Sequence, residues 1–267
     1  ILLCCGSGGV GKTTTAAALG LAGAIAGKKT LVMTIDPARR LATSLGLKEL
    51  GNAPQVIAPG LLKEAGIKPV GSLSAMMLDT KRTFDNLILK FAPSPEVGER
   101  ILENRLYRHL SAMMAGSQEY MAMEKLHEMA SDPEWDLLVL DTPPTRHALD
   151  FLEAPDKMVG LIGNSILKWF LQPSRFFGRK GLALFSRGAE KILGILDRLA
   201  GFACLRELSE MILEIAGLLG GFESRARQVA GLLHGPDVGF ILVTAPEEAA
   251  VEDALFFLDF LREMQAA

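Results

Sequence analysis

A chain of 267 residues with 49% hydrophobic composition has enough apolar material for one large α/β domain with a substantial core, and it needs no second independent domain. Its formal net charge of −3 and sequence pI near 5.9 supply no overall basic field, which argues against sequence-independent nucleic-acid binding. Mean hydropathy is positive at +0.26, yet every long apolar run is interrupted by charge, so no membrane-spanning helix is expected.

The chain begins with five apolar residues, Ile1 to Cys5, followed by a glycine-rich loop from Gly6 to Gly11, then Lys12-Thr13 and an Ala/Leu-rich run to Ala26. This order predicts a buried strand, a tight turn and a helix. Gly6, Gly11, Lys12 and Thr13 fit G-x-x-x-x-G-K-[ST], the pattern in which loop amides and a helix N-terminus converge on a nucleotide's phosphates. Lys12 would then reach the terminal phosphates, and the Thr13 hydroxyl would take a place on Mg²⁺. Gly6, Gly8 and Gly11 also satisfy G-x-G-x-x-G, with Asp36 about where a dinucleotide fold puts its ribose-binding acid. A dinucleotide helix has no use for an ammonium in its first turn. A triphosphate needs both a cation and a metal-holding hydroxyl, so Lys12-Thr13 favours the phosphate loop.

Thr30 to Ile35 predicts a second buried strand with Asp36 at its carboxyl tip, and a short helix from Arg39 to Leu45 follows. Residues 72 to 131 read as helices: Leu73 to Phe91, Glu96 to Met114 entered through Ser94-Pro95, and Gln118 to Met129. The methionines 113, 114, 121 and 123 at helical spacing are read as core. Trp135 to Leu140 predicts a third buried strand, again ending in an acid, Asp141, ahead of Thr142-Pro143-Pro144. In open parallel sheets ligands bind beyond the carboxyl ends of the strands, so Asp36 and Asp141 are both expected beside the loop. Asp141 is the acid expected to hold the Mg²⁺ shell.

From Met158 to Leu233 an amphipathic apolar pattern recurs every three or four residues, interrupted by glycines at 194, 201, 217, 220 and 221. It reads as core and dimer packing, or as a hydrophobic groove for a client helix. Val238 to Thr244 predicts a fourth strand and Glu247 to Met264 the helix after it. The four histidines show no ligand spacing, and Cys4, Cys5 and Cys204 cannot form a paired framework, which points to a reducing cytoplasm and to no metal site made by protein ligands alone. The chain starts inside a strand without an initiator Met and ends in a helix, so it reads as trimmed at both ends.

The loop GSGGVGKTTTAAA, the strand end TIDPARRLATSLG and the block LLVLDTPPTRHALDFLEAP, in that order, resemble the ArsA family, which includes the arsenical-pump ATPase and the ATPase that guides tail-anchored proteins to membranes. The resemblance covers essentially the whole chain. It implies a P-loop NTPase of the deviant Walker A (SIMIBI) type: a mostly parallel sheet with flanking helices, a core over residues 1–157 and 236–267, and a helical subdomain inserted over 158–235. It also implies dimerisation, with itself or with a paralogue, and hydrolysis of ATP rather than GTP with Mg²⁺. The location it implies is cytoplasmic or peripheral at a membrane.

Carried over by position, Gly8, Gly9, Val10, Gly11, Lys12, Thr13 and Thr14 correspond to the phosphate loop, with Thr13 as a Mg²⁺ ligand. Asp36 corresponds to the switch acid that positions the attacking water and sits in the metal shell, and Asp141 to His147 correspond to the second switch. The segment after that switch is where membrane-targeting relatives build their client groove. Two departures stand out. Relatives usually carry a lysine at the second loop position, where this chain has Ser7; Arg146, Arg39 or Arg40 is expected to supply the missing cation. The arsenite-binding cysteines and the zinc-binding CxxC of relatives have no counterpart, so neither site is expected. The resulting expectation is an ATP-gated carrier of hydrophobic or membrane-protein segments. Its rivals are a slow-turnover switch or scaffold, an anion- or metalloid-transport subunit, and a partition or positioning ATPase.

Overall fold

The computed structural model describes residues 1–36, 40–64, 66–104, 107, 118–144, 152–153 and 224–266. The chain divides into two compact units, one of residues 1–83, 117–155 and 228–267 and the other of residues 84–116 and 156–227. Most of the span expected to form the helical insertion, 158–235, lies outside the described residues; of it, residues 224–233 are helical.

The first unit is built on a six-stranded sheet. Its strands are β1 (Leu2–Cys5), β2 (Lys29–Thr34), β3 (Gln55–Val56), β4 (Ser72–Met77), β5 (Leu137–Asp141) and β6 (Gly239–Leu242), in the order β3-β4-β2-β5-β1-β6. All pairs are parallel except β3 with β4. Among the described residues this unit carries α1 (Lys12–Ile25), α2 (Arg40–Ser44), α3 (Pro59–Glu64), the start of α4 (Thr80–Phe91), α6 (Gln118–Ala130) and α7 (Glu248–Ala266), while the rest of α4 and α5 (Pro95–Glu103) belong to the second unit.

Strand alternation sends side chains to both faces of the sheet, and both faces are covered. Cys4, Val32, Ala75 and Val139 pack with Ala16, Ala17 and Ala24 of α1 and Leu41 of α2. Leu3, Cys5, Leu31, Met33 and Leu140 pack on the other side with Met123 and Leu126 of α6, Val229 and Leu233, and Phe257 of α7. Met121 and Met123 are buried, as their spacing suggested, while Met113 and Met114 lie outside the described residues. The small residues of α1 reflect close approach: a methyl group at Gly20 would meet Val32 Cγ2, and one at Gly23 would lie 2.6 Å from Thr30 Oγ1.

Two stretches differ from the sequence expectation. The helix expected from Leu73 to Phe91 is two elements, because Ser72–Met77 pairs along its whole length with β2 as a buried parallel strand and only Thr80–Phe91 is helical. The helix entered through Ser94-Pro95 forms as expected, with Ser94 Oγ accepting from Val97 N at 3.4 Å, but it stops at Asn104 instead of running to Met114. Asn104 is extended, and its side-chain oxygen accepts from Tyr107 N, so it starts a new turn.

Candidate functional site

Sheet register brings the chemistry together. β5 lies between β1 and β2, with Asp141 paired to Cys4 on one side and to Thr34 on the other. The glycine loop leaves β1 immediately after Cys5, and Asp36 follows two residues after Thr34. The loop and both acids thus stand at the carboxyl edge of adjacent parallel strands, where such sheets bind ligands.

The loop backbone is one that side chains would hinder. Gly6 has φ +154 and its missing Cβ would fall on the carbonyl oxygen of Val243; Gly11, the residue before α1, is left-handed at φ +97. This backbone directs the chain into the first turn of α1, whose free N–H groups and dipole suit an anion. A pocket of about 830 Å³ opens there, lined by Gly8, Gly9, Gly11, Lys12, Thr13 and Thr14 of the loop and helix, by Arg40, Thr43 and Ser44 of α2, and by Pro144. Val10 is not on its wall; its side chain lies against Gly6.

Inside this frame Lys12 is buried, and its ammonium donates to the carbonyl oxygen of Ser7 at 2.7 Å. Burial lowers its pKa, opposed chiefly by the charge of Asp141. Thr13 Oγ1 donates to Asp141 Oδ2 at 2.8 Å, and Thr34 Oγ1 donates to the same oxygen at 3.0 Å. Burial pushes the Asp141 carboxyl above the ordinary carboxylate range, partly offset by these two hydroxyls and by Lys12. Asp36 N donates to Thr34 Oγ1 at 3.2 Å, and the Asp36 carboxylate pairs with Arg40 at 3.5 Å.

The second oxygen of Asp141, Oδ1, is buried with no hydrogen-bond partner, beside a threonine hydroxyl already aimed at the same carboxylate. An all-oxygen set of one or two carboxylates and a hydroxyl, completed by phosphate and water, is what the hard cation Mg²⁺ takes, and the residues fit. Among the described residues no group of three or more His, Cys, Asp or Glu is placed to hold a metal ion.

Of the expected site residues, the structure gathers Gly8, Gly9, Gly11, Lys12, Thr13 and Thr14 on one wall, with Asp141 beneath Thr13 and Asp36 attached through Arg40. Arg146, Arg39 and His147 lie outside the described residues. Thr34 was not singled out from the sequence. The available signal was strand alternation, which puts residues 34 and 36 on one side, with a hydroxyl at the carboxyl end of the strand.

Comparison with known proteins agrees with this geometry. A sequence model of the family described as anion-transporting ATPase matches residues 1–255. An "ATPase ASNA1 homolog 2" of Paramecium tetraurelia is 33% identical over 153 residues, 57% of this chain and 43% of the relative. The "Uncharacterized protein SCO2128" of Streptomyces coelicolor is 30% identical over 200 residues, 75% of this chain and 44% of the relative. An "ATPase get3" of Aspergillus terreus is 29% identical over 150 residues, 56% and 41%. The chain thus spans less than half the length of these relatives. With a phosphate-type loop on a parallel sheet and a family match across nearly its whole length, the chain belongs to the anion-transporting ATPase (ArsA) family.

Proposed function

We propose that this chain binds ATP with Mg²⁺ at the carboxyl edge of its sheet and hydrolyses it, and that the nucleotide state drives a change in a helical region that holds hydrophobic or membrane-protein segments. The observation that carries the reading is the 2.8 Å bond from Thr13 of the glycine loop to Asp141, two residues 128 positions apart that a Mg-nucleotide site requires side by side. Glycines 8, 9 and 11 with Val10 would wrap the phosphates, Thr14 would add its backbone N–H, and Lys12 would leave the Ser7 carbonyl for the terminal phosphates. Thr13, Asp141 and Asp36 would hold Mg²⁺, which when bound neutralises charge on the transferred phosphoryl group. Asp36 would orient the attacking water, and Arg146 would face the developing charge.

The relatives named as ASNA1 and get3 ATPases support the wider reading, in which the chain works as a homodimer, or with a paralogue, in the cytoplasm or at a membrane surface. No helix among the described residues is long and apolar enough to cross a membrane. Residues 158–235 are our proposed client-binding insertion, and 1–157 with 236–267 the core that drives it.

A second reading, a slow nucleotide-dependent switch, is favoured by Ser7, which offers only a carbonyl to Lys12 and no cation to the γ-phosphate. ATP turnover by the full-length protein and its Lys12→Ala variant, with and without a hydrophobic helical peptide, separates the two. Turnover that the variant loses and the peptide alters upholds the carrier. Tight Mg-ATP binding with negligible turnover under both conditions upholds the switch. Turnover unchanged in Lys12→Ala sinks both.

A further inference from the structure

Arg40 is the first residue of α2, and the burial of Leu41 and Ala42 behind it anchors the helix so that Arg40 reaches the pocket wall shared with Lys12 and Thr13. Its side chain is 68% exposed, and its guanidinium lies 3.5 Å from Asp36 Oδ2. Its charge is near enough to Lys12 to add to the lowering of that lysine's pKa. Two cations therefore line one pocket, and each rests on an internal oxygen: Lys12 on the Ser7 carbonyl and Arg40 on the Asp36 carboxylate.

We propose that Arg40 is the terminal-phosphate sensor of this site, held in reserve by Asp36: the γ-phosphate of a bound nucleoside triphosphate takes the guanidinium over from the Asp36 carboxylate. This rests on the nucleotide reading above and deepens it.

A partly exposed carboxylate–guanidinium pair four residues apart in sequence is weak, so its exchange is easy. The planar guanidinium fork matches a phosphate's oxygens, whereas an ammonium offers a single point of charge. A nucleoside diphosphate lacks the group that would draw Arg40 away. Asp36 would thus give up this partner only when there is a γ-phosphate to hydrolyse, and the switch would also supply part of the positive charge that Ser7 does not.

The test is equilibrium binding of a non-hydrolysable ATP analogue and of ADP, each with Mg²⁺, to the full-length protein by calorimetry. Arg40→Ala is expected to weaken the triphosphate analogue about tenfold and ADP less than about twofold, with Arg40→Lys restoring only part of the loss. Asp36→Asn also removes a proposed Mg²⁺ ligand, so it is read only for coupling: Arg40→Ala is expected to weaken the triphosphate analogue more in the Asp36→Asn background than in the parent, because Arg40 is there no longer held by the carboxylate. If Arg40→Ala changes neither nucleotide, or both equally, or if its loss on the triphosphate analogue is no larger in the Asp36→Asn background, the proposal is overturned while Lys12-dependent nucleotide binding stands. If the unaltered protein binds neither nucleotide, the nucleotide reading falls and takes this proposal with it.

Discussion

Thr34 and Asp141 face each other across the ladder between β2 and β5, and the hydroxyl of the first donates to the carboxylate of the second at 3.0 Å. The same hydroxyl accepts the Asp36 N–H, so one buried oxygen joins the two acids at the carboxyl edge of the sheet. Replacing Thr34 by Val keeps the shape but strips one hydrogen bond from a buried carboxylate and another from the Asp36 amide. A stability loss of about 1.5–3 kcal/mol is expected. Turnover should fall by about tenfold or more while nucleotide affinity changes little, and Thr34→Ser should recover most of both. A Val variant with wild-type kcat would exclude Thr34 as the link between the acids.

Burial pushes the Asp141 carboxyl upward, outweighing the hydrogen bonds from Thr13 and Thr34 and the attraction of Lys12. Because the folded chain holds that proton more tightly than the unfolded chain, stability of the ligand-free protein falls as pH rises from the ordinary value of 3.8 through the raised one. Asp141→Asn should therefore raise the melting temperature of ligand-free protein at pH 7, with the gain vanishing toward pH 4, while nucleotide hydrolysis is lost. Thermal melts across that range check the sign. A variant less stable than the parent at pH 7 would mean that the hydroxyls of Thr13 and Thr34 and the charge of Lys12 together outweigh burial.

Gly20 sets helix propensity against packing. Alanine is better than glycine in a helix interior by about 1 kcal/mol. Here the added methyl would meet Val32 Cγ2, on a buried strand whose branched side chain has little room to turn. Overpacking of this kind costs about 1–3 kcal/mol, so Gly20→Ala should destabilise on balance, lowering the melting temperature by a few degrees without changing nucleotide affinity. A higher melting temperature would show that β2 yields more easily than its burial suggests.

Cys4 and Cys5 stand directly ahead of the phosphate loop, yet burial pushes each thiol up to about 12. At neutral pH the thiolate fraction is on the order of 10⁻⁵, and neither sulfur is reachable. Iodoacetamide should leave both unmodified in the folded protein and modify both after denaturation, as read by peptide mass mapping. Alkylation of either in the native protein would mean that β1 opens far more readily than a central strand should.

How much was legible beforehand follows from what each element depends on. β1, β2 and β5, buried on both faces, and the half-buried edge strand β6 announce themselves because they read as largely continuous apolar runs, each closed here by a glycine, an acid or a proline turn. β4 does not: Ser72–Met77 has neither a β-branched nor an aromatic residue, and its leucine and methionines favour a helix locally. Only its ladder with β2 makes it a strand, and pairing between distant segments has no local signature. The stop at Asn104 is hidden for a similar reason, since apolar periodicity continues past a residue whose side chain begins a new turn. In the site, Lys12, Thr13 and Asp141 were legible because a phosphate loop has a fixed spacing and strand-end acids have a fixed place. Thr34 was not, because a threonine in a buried strand, like Thr30 in the same β2, is ordinary until register sets it against a carboxylate.

The place of β5 between β1 and β2 also decides what solvent exchange at this site would mean. Leu138, Val139 and Leu140 are buried and hydrogen-bonded to strands on both sides, so their amide hydrogens should leave only when the whole unit opens. Protection measured there reports the stability of the fold and nothing of occupancy. The exposed backbone at Gly8 and Gly9 belongs to no ladder, and slowing of exchange there on adding nucleotide would register the ligand alone. A few residues apart in space, one chain carries both its own reference and its own signal.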